Sequence, residues 1–99
     1  MLNLSPQYLK DLCAKAKFAF NKCIADPEND FLQDEIKIPL GNVILLEEFV
    51  RLKFVNYEID RFEIEVKLAL ASPDGSLIGM YLYYEDERGL VIDDMLVFD

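Results

Sequence analysis

The sequence predicts an α+β domain in which one N-terminal amphipathic helix packs on a curved antiparallel meander of four to five strands. Apolar residues first recur at helical spacing, and from about residue 50 onward they alternate with polar residues between turn signals. The chain has 99 residues, of which 53% are hydrophobic, enough to form one core. We therefore expect a single domain over residues 1–99.

The helix is expected to begin after Ser5 and to end near Ala25. Ser5 is a favourable N-cap, Pro6 suits the first helical position, and Asp26 with Pro27 interrupts the helical pattern. The predicted apolar face contains Leu9, Leu12, Cys13, Ala16, Phe20, Cys23 and Ile24.

Cys13 and Cys23 lie on this helix about 15 Å apart along its axis, which is too far for a disulfide. We expect both to be free thiols in a reducing compartment, so the cytoplasm is the expected location. The first residues lack a basic stretch followed by an apolar one, and no apolar run is long enough to cross a membrane. Phe18 falls on the solvent side as an isolated exposed ring.

The segment between the helix and the sheet gives weaker signals. Residues 26–34 are expected to form a loop, and residues 36–40 alternate like a short edge strand, since Pro39 cannot donate to a ladder. Residues 43–48 are compatible with either a strand or a helical turn.

Opposite charges predict how the first two long strands pair. With a turn near Tyr57, Arg51 faces Glu65 and Lys53 faces Glu63. A slip of one residue would bring apolar side chains opposite charged ones.

The next two hairpins are expected to close between Ser72 and Ser76 and between Tyr84 and Leu90. Val66 would then face Leu82, and Leu82 would face Ile92. This register predicts one row on the face away from the helix, made of Phe49, Lys67, Tyr81 and Asp93. Asp94 would point towards the helix.

One helix followed by an antiparallel meander resembles the cystatin-like and nuclear-transport-factor-like classes. The resemblance concerns the order of elements alone and implies no function. Function therefore has to be argued from the side chains.

The net charge of −9 is unevenly distributed along the chain. Residues 1–25 carry four lysines and one aspartate, whereas residues 26–99 carry six basic and 18 acidic side chains. Such a surface repels phosphate backbones and attracts basic proteins. We therefore expect a basic protein partner and no nucleic acid, although acidity could also serve solubility alone.

The side chains that common catalytic and metal sites require are absent or badly spaced. The chain has no histidine, only two cysteines, and no phosphate-binding glycine motif. A hard cation could use Glu85, Asp86, Glu87, Asp93 and Asp94, but their spacing fits no calcium loop. We expect no catalytic activity, no metal and no cofactor.

Two surfaces are candidate sites. The first is the sheet face away from the helix, because aromatic and apolar residues among charges are typical of protein interfaces. The residues predicted to bind a partner there are Phe49, Arg51, Lys67, Tyr81, Tyr83, Asp93 and Met95. The second is a pocket between helix and sheet lined by Tyr84, Asp94 and Cys13, in which a buried Asp94 would have a raised pKa. Residues 26–48 could instead cover the first surface from within the chain.

The leading functional hypothesis is a small acidic, non-catalytic module, such as an inhibitor or immunity-type protein, that occludes a basic partner. One alternative is a small-molecule-binding or carboxylate-based enzyme domain that uses the pocket. We also expect a homodimer through the apolar sheet face, and a purely structural homodimer is the other alternative. The adjacent Asp93 and Asp94 are most simply explained as gatekeepers that keep an aggregation-prone strand soluble.

Overall fold

The computed structural model describes residues 5–99, apart from the side chain of Ile59. Helix α1 spans Pro6–Ala25, and two short 3₁₀ helices follow at Pro27–Glu35 and Leu40–Asn42. The four strands are β1 (Ile44–Val55), β2 (Glu58–Ala71), β3 (Leu77–Asp86) and β4 (Val91–Phe98). They form one antiparallel sheet in the order β1-β2-β3-β4, which is curled but not closed, with α1 packed on it. The predicted α+β layout is confirmed, with four strands.

Helix α1 begins and ends where the sequence predicts. The Ser5 hydroxyl accepts a hydrogen bond from the Tyr8 backbone N–H (3.1 Å), which satisfies one of the free donors at the helix start. The helix buries Leu12, Cys13, Ala16 and Phe20 against Ile64, Val66, Leu68 and Leu70 of β2. Among residues 5–99, no helix combines the length and apolarity needed to cross a membrane.

The segment that follows α1 differs from the prediction. Residues 27–35 form a 3₁₀ helix rather than a loop, and residues 36–40 form no strand. The Gln33 side chain explains the second difference, because it donates to the Ile38 carbonyl (2.7 Å) and accepts from the Leu40 N–H (2.8 Å). These backbone groups therefore bond to a side chain instead of a neighbouring strand. The ambiguous residues 43–48 belong mostly to β1, which begins at Ile44.

The predicted register of β1 and β2 is confirmed. Arg51 pairs with Glu65 and Lys53 with Glu63, so opposite charges lie across from each other. The connecting turn lies at Asn56 and Tyr57, both with positive φ angles (54° and 61°), as a tight two-residue hairpin requires.

The predicted register of β2 and β3 is wrong by one residue. The turn closes between Ser72 and Ser76 as expected, with the Ser72 N–H donating to the Ser76 carbonyl (2.9 Å). An irregularity between Leu70 and Ala71 then shifts the ladder, so that Val66 pairs with Tyr83 and not with Leu82. From Met80 onward, the shift turns the side chains of β3 to the face opposite to the predicted one.

The predicted register of β3 and β4 is wrong by three residues. The turn closes between Asp86 and Leu90 instead of Tyr84 and Leu90, and a second irregularity follows, so Leu82 pairs with Met95 rather than Ile92. Because both shifts are odd, they cancel for β4. Asp93 and Asp94 therefore lie on the predicted faces although their predicted partners were wrong.

Candidate functional site

The face of the sheet away from α1, here called the outer face, carries apolar side chains in two adjacent cross-strand rows. Paired residues of an antiparallel sheet project to the same face. The first row joins Leu46, Ala69, Met80 and Val97, and the second joins Phe49, Lys67, Leu82 and Met95. We call six of these side chains the outer patch: Leu46, Phe49, Met80, Leu82, Met95 and Val97.

The outer patch is open to solvent. The exposed fraction is 45% for Leu46, 38% for Phe49, 47% for Met95 and 37% for Val97. The 3₁₀ helix at residues 27–35 does not cover it but packs along α1, where Asn29 donates to the Cys23 carbonyl (2.9 Å). Contiguous apolar surface that stays open on a small domain commonly marks an interaction site.

A charged row borders the outer patch on its β3–β4 turn side. Arg51 Nη2 lies 2.5 Å from Glu65 Oε1, and the Tyr84 hydroxyl donates to Glu65 Oε2 (2.6 Å). This hydrogen bond, followed by burial, raises the pKa of Tyr84. Asp93 pairs with Tyr84 in the ladder and has no ion pair within residues 5–99. The row therefore ends in an unpaired carboxylate.

Lys67 is the one cation between the apolar side chains of the second row. Its Nζ lies 3.0 Å from Glu48 Oε2 and 5.8 Å from the centre of the Phe49 ring. The Glu48 carboxylate and the aromatic face together hold the ammonium group, so its charge is compensated locally.

Five of the residues predicted to bind a partner lie on the outer face: Phe49, Arg51, Lys67, Asp93 and Met95. The placement of Tyr81 and Tyr83 there was wrong, because they face α1 and are 0% and 2% exposed. The predicted row with Tyr81 and Asp93 beside Lys67 is wrong for the same reason. Leu82 and Met95 occupy those places.

The two inward tyrosines hydrogen-bond to carboxylates. The Tyr81 hydroxyl donates to Asp94 Oδ2, and the Tyr83 hydroxyl donates to Glu85 Oε2, each at 2.7 Å. Glu85 is only 1% exposed, and Lys15 Nζ lies 3.5 Å from the same oxygen. Burial first, and these hydrogen bonds second, raise the pKa of both tyrosines well above the usual range.

On the free edge of β4, the Asp93 side chain accepts a hydrogen bond from the Asp94 backbone N–H. The Asp99 N–H donates to the Ile78 carbonyl (2.9 Å), and the alternation of an antiparallel ladder then points the Asp94 N–H away from β3. Asp93 Oδ1 accepts this N–H at 2.8 Å. The carboxylate thus occupies a donor that a further strand would need, which supports the gatekeeper interpretation.

Of the residues predicted to line a pocket, only Asp94 lines a cavity beside α1. Cys13 is buried in the core, and Tyr84 lies on the outer face, so that part of the prediction was wrong. The cavity is a cleft of about 680 Å³ between the second half of α1 and the β3–β4 hairpin. Its walls include Phe18, Ala19, Cys23, Tyr83, Val91 and Asp94.

The acidic residues around the β3–β4 turn do not converge. Glu85 points to α1, and Asp86 accepts backbone hydrogen bonds from Arg88 (2.8 Å) and Leu90 (3.0 Å) within the turn. Within the described part of the chain, no group of three or more thiols and carboxylates is arranged to hold a metal ion.

No protein-family model matches this chain, and no curated protein or solved structure shows significant similarity to it. The geometry of residues 5–99 therefore carries the functional argument.

Of the outer patch, the predicted partner-binding residues include Phe49 and Met95 but not Leu46, Met80, Leu82 or Val97. Leu46 falls in the stretch that was ambiguous between strand and helix. Met80 and Leu82 belong to β3, which is apolar or aromatic at almost every position from Leu77 to Tyr84. That continuous run was the available signal, because it requires apolar side chains on both faces of the strand.

Proposed function

We propose that the protein is a small, cytoplasmic, non-catalytic binding module that occludes a basic protein partner, as an inhibitor or immunity-type protein does. The observation that carries the proposal is the outer patch, with six apolar side chains in two adjacent rows on a sheet face that α1 leaves open. An apolar centre with a charged border is the usual composition of a protein interface.

The charge of the chain supports a basic partner. Net charge is −9, and at the border of the outer patch Asp93 has no cation of its own within residues 5–99. Electrostatic attraction would steer a basic protein to this surface, and the apolar rows would supply the contact that holds it. A second copy of the chain is the weaker alternative, because each copy would bring another −9 to the contact.

The contact should use the face of the sheet rather than the edge of β4. Asp93 Oδ1 already occupies the outward N–H of Asp94 (2.8 Å), so strand addition at that point would first have to break this bond. The Leu82 and Met95 pair occupies the β3 and β4 positions of the second row, and Met95 is 47% exposed.

Two variants test the proposal. The first replaces Leu82 and Met95 together by serine, which removes apolar contact without changing charge. The control is Phe18→Ala, which removes an exposed ring (67%) on the helix side of the molecule. Affinity purification with the wild-type protein identifies candidates, and titration calorimetry with the purified partner then measures the dissociation constant.

The expected partner is a basic protein whose affinity falls about tenfold or more in the double variant and stays within about twofold in the control. Its affinity should also fall as salt rises, because the screening length shrinks from about 10 Å at 0.1 M to about 3 Å at 1 M. A partner held equally by the double variant would overturn the proposal, as would binding unchanged at 1 M salt. Light scattering that gives twice the 11.5 kDa chain mass, lost in the double variant, would favour the homodimer instead.

A further inference from the structure

The cleft beside α1 lies on the side of the sheet opposite the outer patch. Its volume of about 680 Å³ falls within the range of small-molecule sites. Phe18 and Val91 line it while 67% and 63% of their surfaces remain exposed. Two large apolar side chains therefore flank an open space that the core does not use.

The charges along the cleft are unequal. Lys15 is neutralised by the buried Glu85 (3.5 Å), whereas Asp26 and Asp94 have no ion pair within residues 5–99. Lys22 also lines the cleft without an ion pair in that range, so two carboxylates stand against one ammonium group. The remaining charge favours a cation.

The thiol of Cys23 is influenced by both carboxylates of the cleft. Burial raises the pKa of its thiol, and the carboxylates of Asp94 and then Asp26 raise it further. Both carboxylates line the cleft together with Cys23. Within residues 5–99, each accepts one hydrogen bond, Asp94 from the Tyr81 hydroxyl (2.7 Å) and Asp26 from the Glu28 N–H (3.0 Å). A carboxylate offers about four acceptor positions, so both can take further donors.

We propose that this cleft binds a small organic cation, a protonated amine on an apolar body. The ammonium group lies between Asp94 and Asp26, and the apolar body lies against Phe18, Ala19 and Val91. The exposed ring of Phe18 suits a cation as well as an apolar ligand. This inference is independent of the proposed protein partner, since the cleft and the outer patch lie on opposite faces of the sheet.

The test uses three naphthalene probes that differ only in side-chain charge: the aminoethyl, hydroxyethyl and acetate derivatives. Each is titrated into the ¹⁵N-labelled protein at pH 7 and low salt while backbone amide shifts are followed by NMR. The aminoethyl probe should bind most tightly and the acetate least tightly, with the largest shifts at Ala19, Gly89 and Val91.

Three substitutions test whether negative charge in the cleft strengthens binding of the aminoethyl probe. Asp94→Asn should weaken the aminoethyl probe about fivefold or more, and Lys22→Gln should strengthen it about twofold, because one removes an attractive charge and the other a repulsive one. Asp93→Asn is the matched control, with the same charge change one residue away on the outer face, and should alter the affinity less than twofold.

Asp94→Asn could disturb folding, because Asp94 accepts the hydrogen bond of the Tyr81 hydroxyl. Phe18→Ala therefore provides a second, independent test. Its ring is 67% exposed, so the variant should fold and still bind the probe several-fold more weakly. The proposal is overturned if the acetate binds as tightly as the amine, if shifts map to the outer face, or if the Asp93 and Asp94 variants weaken binding equally. None of these results affects the protein partner, whose affinity depends on Leu82 and Met95.

Discussion

The two faces of the sheet have similar apolar composition in β3 but opposite roles. On the inner face, Tyr81 and Tyr83 are buried under α1 with their hydroxyls on carboxylates. On the outer face, Met80 and Leu82 of the same strand join a patch that remains open. Hydrophobicity alone therefore does not decide which face becomes the core. The register of β3 on β2 distinguishes the faces, because it turns Tyr81 and Tyr83 rather than Met80 and Leu82 towards α1.

The comparison predicts its largest effect for truncation of an aliphatic side chain on each face. Leu68→Ala should lower the free energy of unfolding by about 3 kcal/mol, because it leaves a cavity in the core, whereas Met95→Ala should cost less than about 1 kcal/mol. Urea unfolding measures both. Equal losses would mean that the outer face is buried in solution, and a concentration-dependent midpoint would then identify a second copy.

A second effect follows from the raised pKa values of Tyr81 and Tyr83. Because the unfolded chain loses these protons first, near pH 10, their contribution to stability is complete below that pH and falls above it. Each of the two tyrosines should lower the free energy of unfolding by about 1.4 kcal/mol per pH unit above pH 10. Urea unfolding between pH 9 and 11 checks the slope, which should be halved in Tyr83→Phe. A slope unchanged in that variant would contradict the assignment.

The hydroxyl bonds of the two faces can be compared directly. Tyr81→Phe leaves Asp94 without its donor and should cost about 1.5 kcal/mol, since the bond joins a buried hydroxyl to a charged group. Tyr84→Phe removes a bond of similar length (2.6 Å) to Glu65 on the half-exposed outer face and should cost about 0.5 kcal/mol. Thermal unfolding of the two variants at neutral pH tests the order. The reverse order would place the more important polar contact on the outer face.

The smallest effect on stability, but a visible one on association, is expected at Asp93. Asp93→Val frees the outward Asp94 N–H and adds an apolar side chain beside the outer patch, so the variant should self-associate at concentrations where the wild type does not. Its free energy of unfolding should change by less than about 0.5 kcal/mol. Sedimentation velocity measures the association, and Asp99→Val is a control of equal charge change. Equal association of both variants would point to lost charge rather than to the freed edge.

Both three-residue hairpins have the same loop length and a glycine at the third position, and the sequence predicted the closing pair of only the first correctly. Ser72 to Ser76 and Asp86 to Leu90 each close around a loop whose third residue is glycine with positive φ, Gly75 at 91° and Gly89 at 81°. The proline in the first loop made it easy to recognise. Asp86 followed by Gly89 was the equivalent signal, because Asp86 accepts the N–H groups of Arg88 and Leu90.

The cleft could not be predicted from the sequence because its walls come from distant parts of the chain. Phe18 was expected to be an exposed ring on the solvent side, and it is exposed. The packing of α1 nevertheless brings it to the same cavity as Val91 and Asp94. Asp94 was predicted on the helix side, but Cys23 rather than Cys13 lies beside it there.

By itself the sequence determined α1 and the pairing of β1 with β2. Capping and helical periodicity set the helix, and the alternation of charged with apolar residues allowed one register, with Arg51 opposite Glu65. Only the tertiary structure decided which face of β3 is buried. That strand carries apolar or aromatic side chains on both of its faces. A slip of one residue would therefore still place such side chains against the core. The irregularity after Leu70 sets the register that buries Tyr81 and Tyr83, whose hydroxyls bond to Asp94 and Glu85, and the outer patch is its consequence.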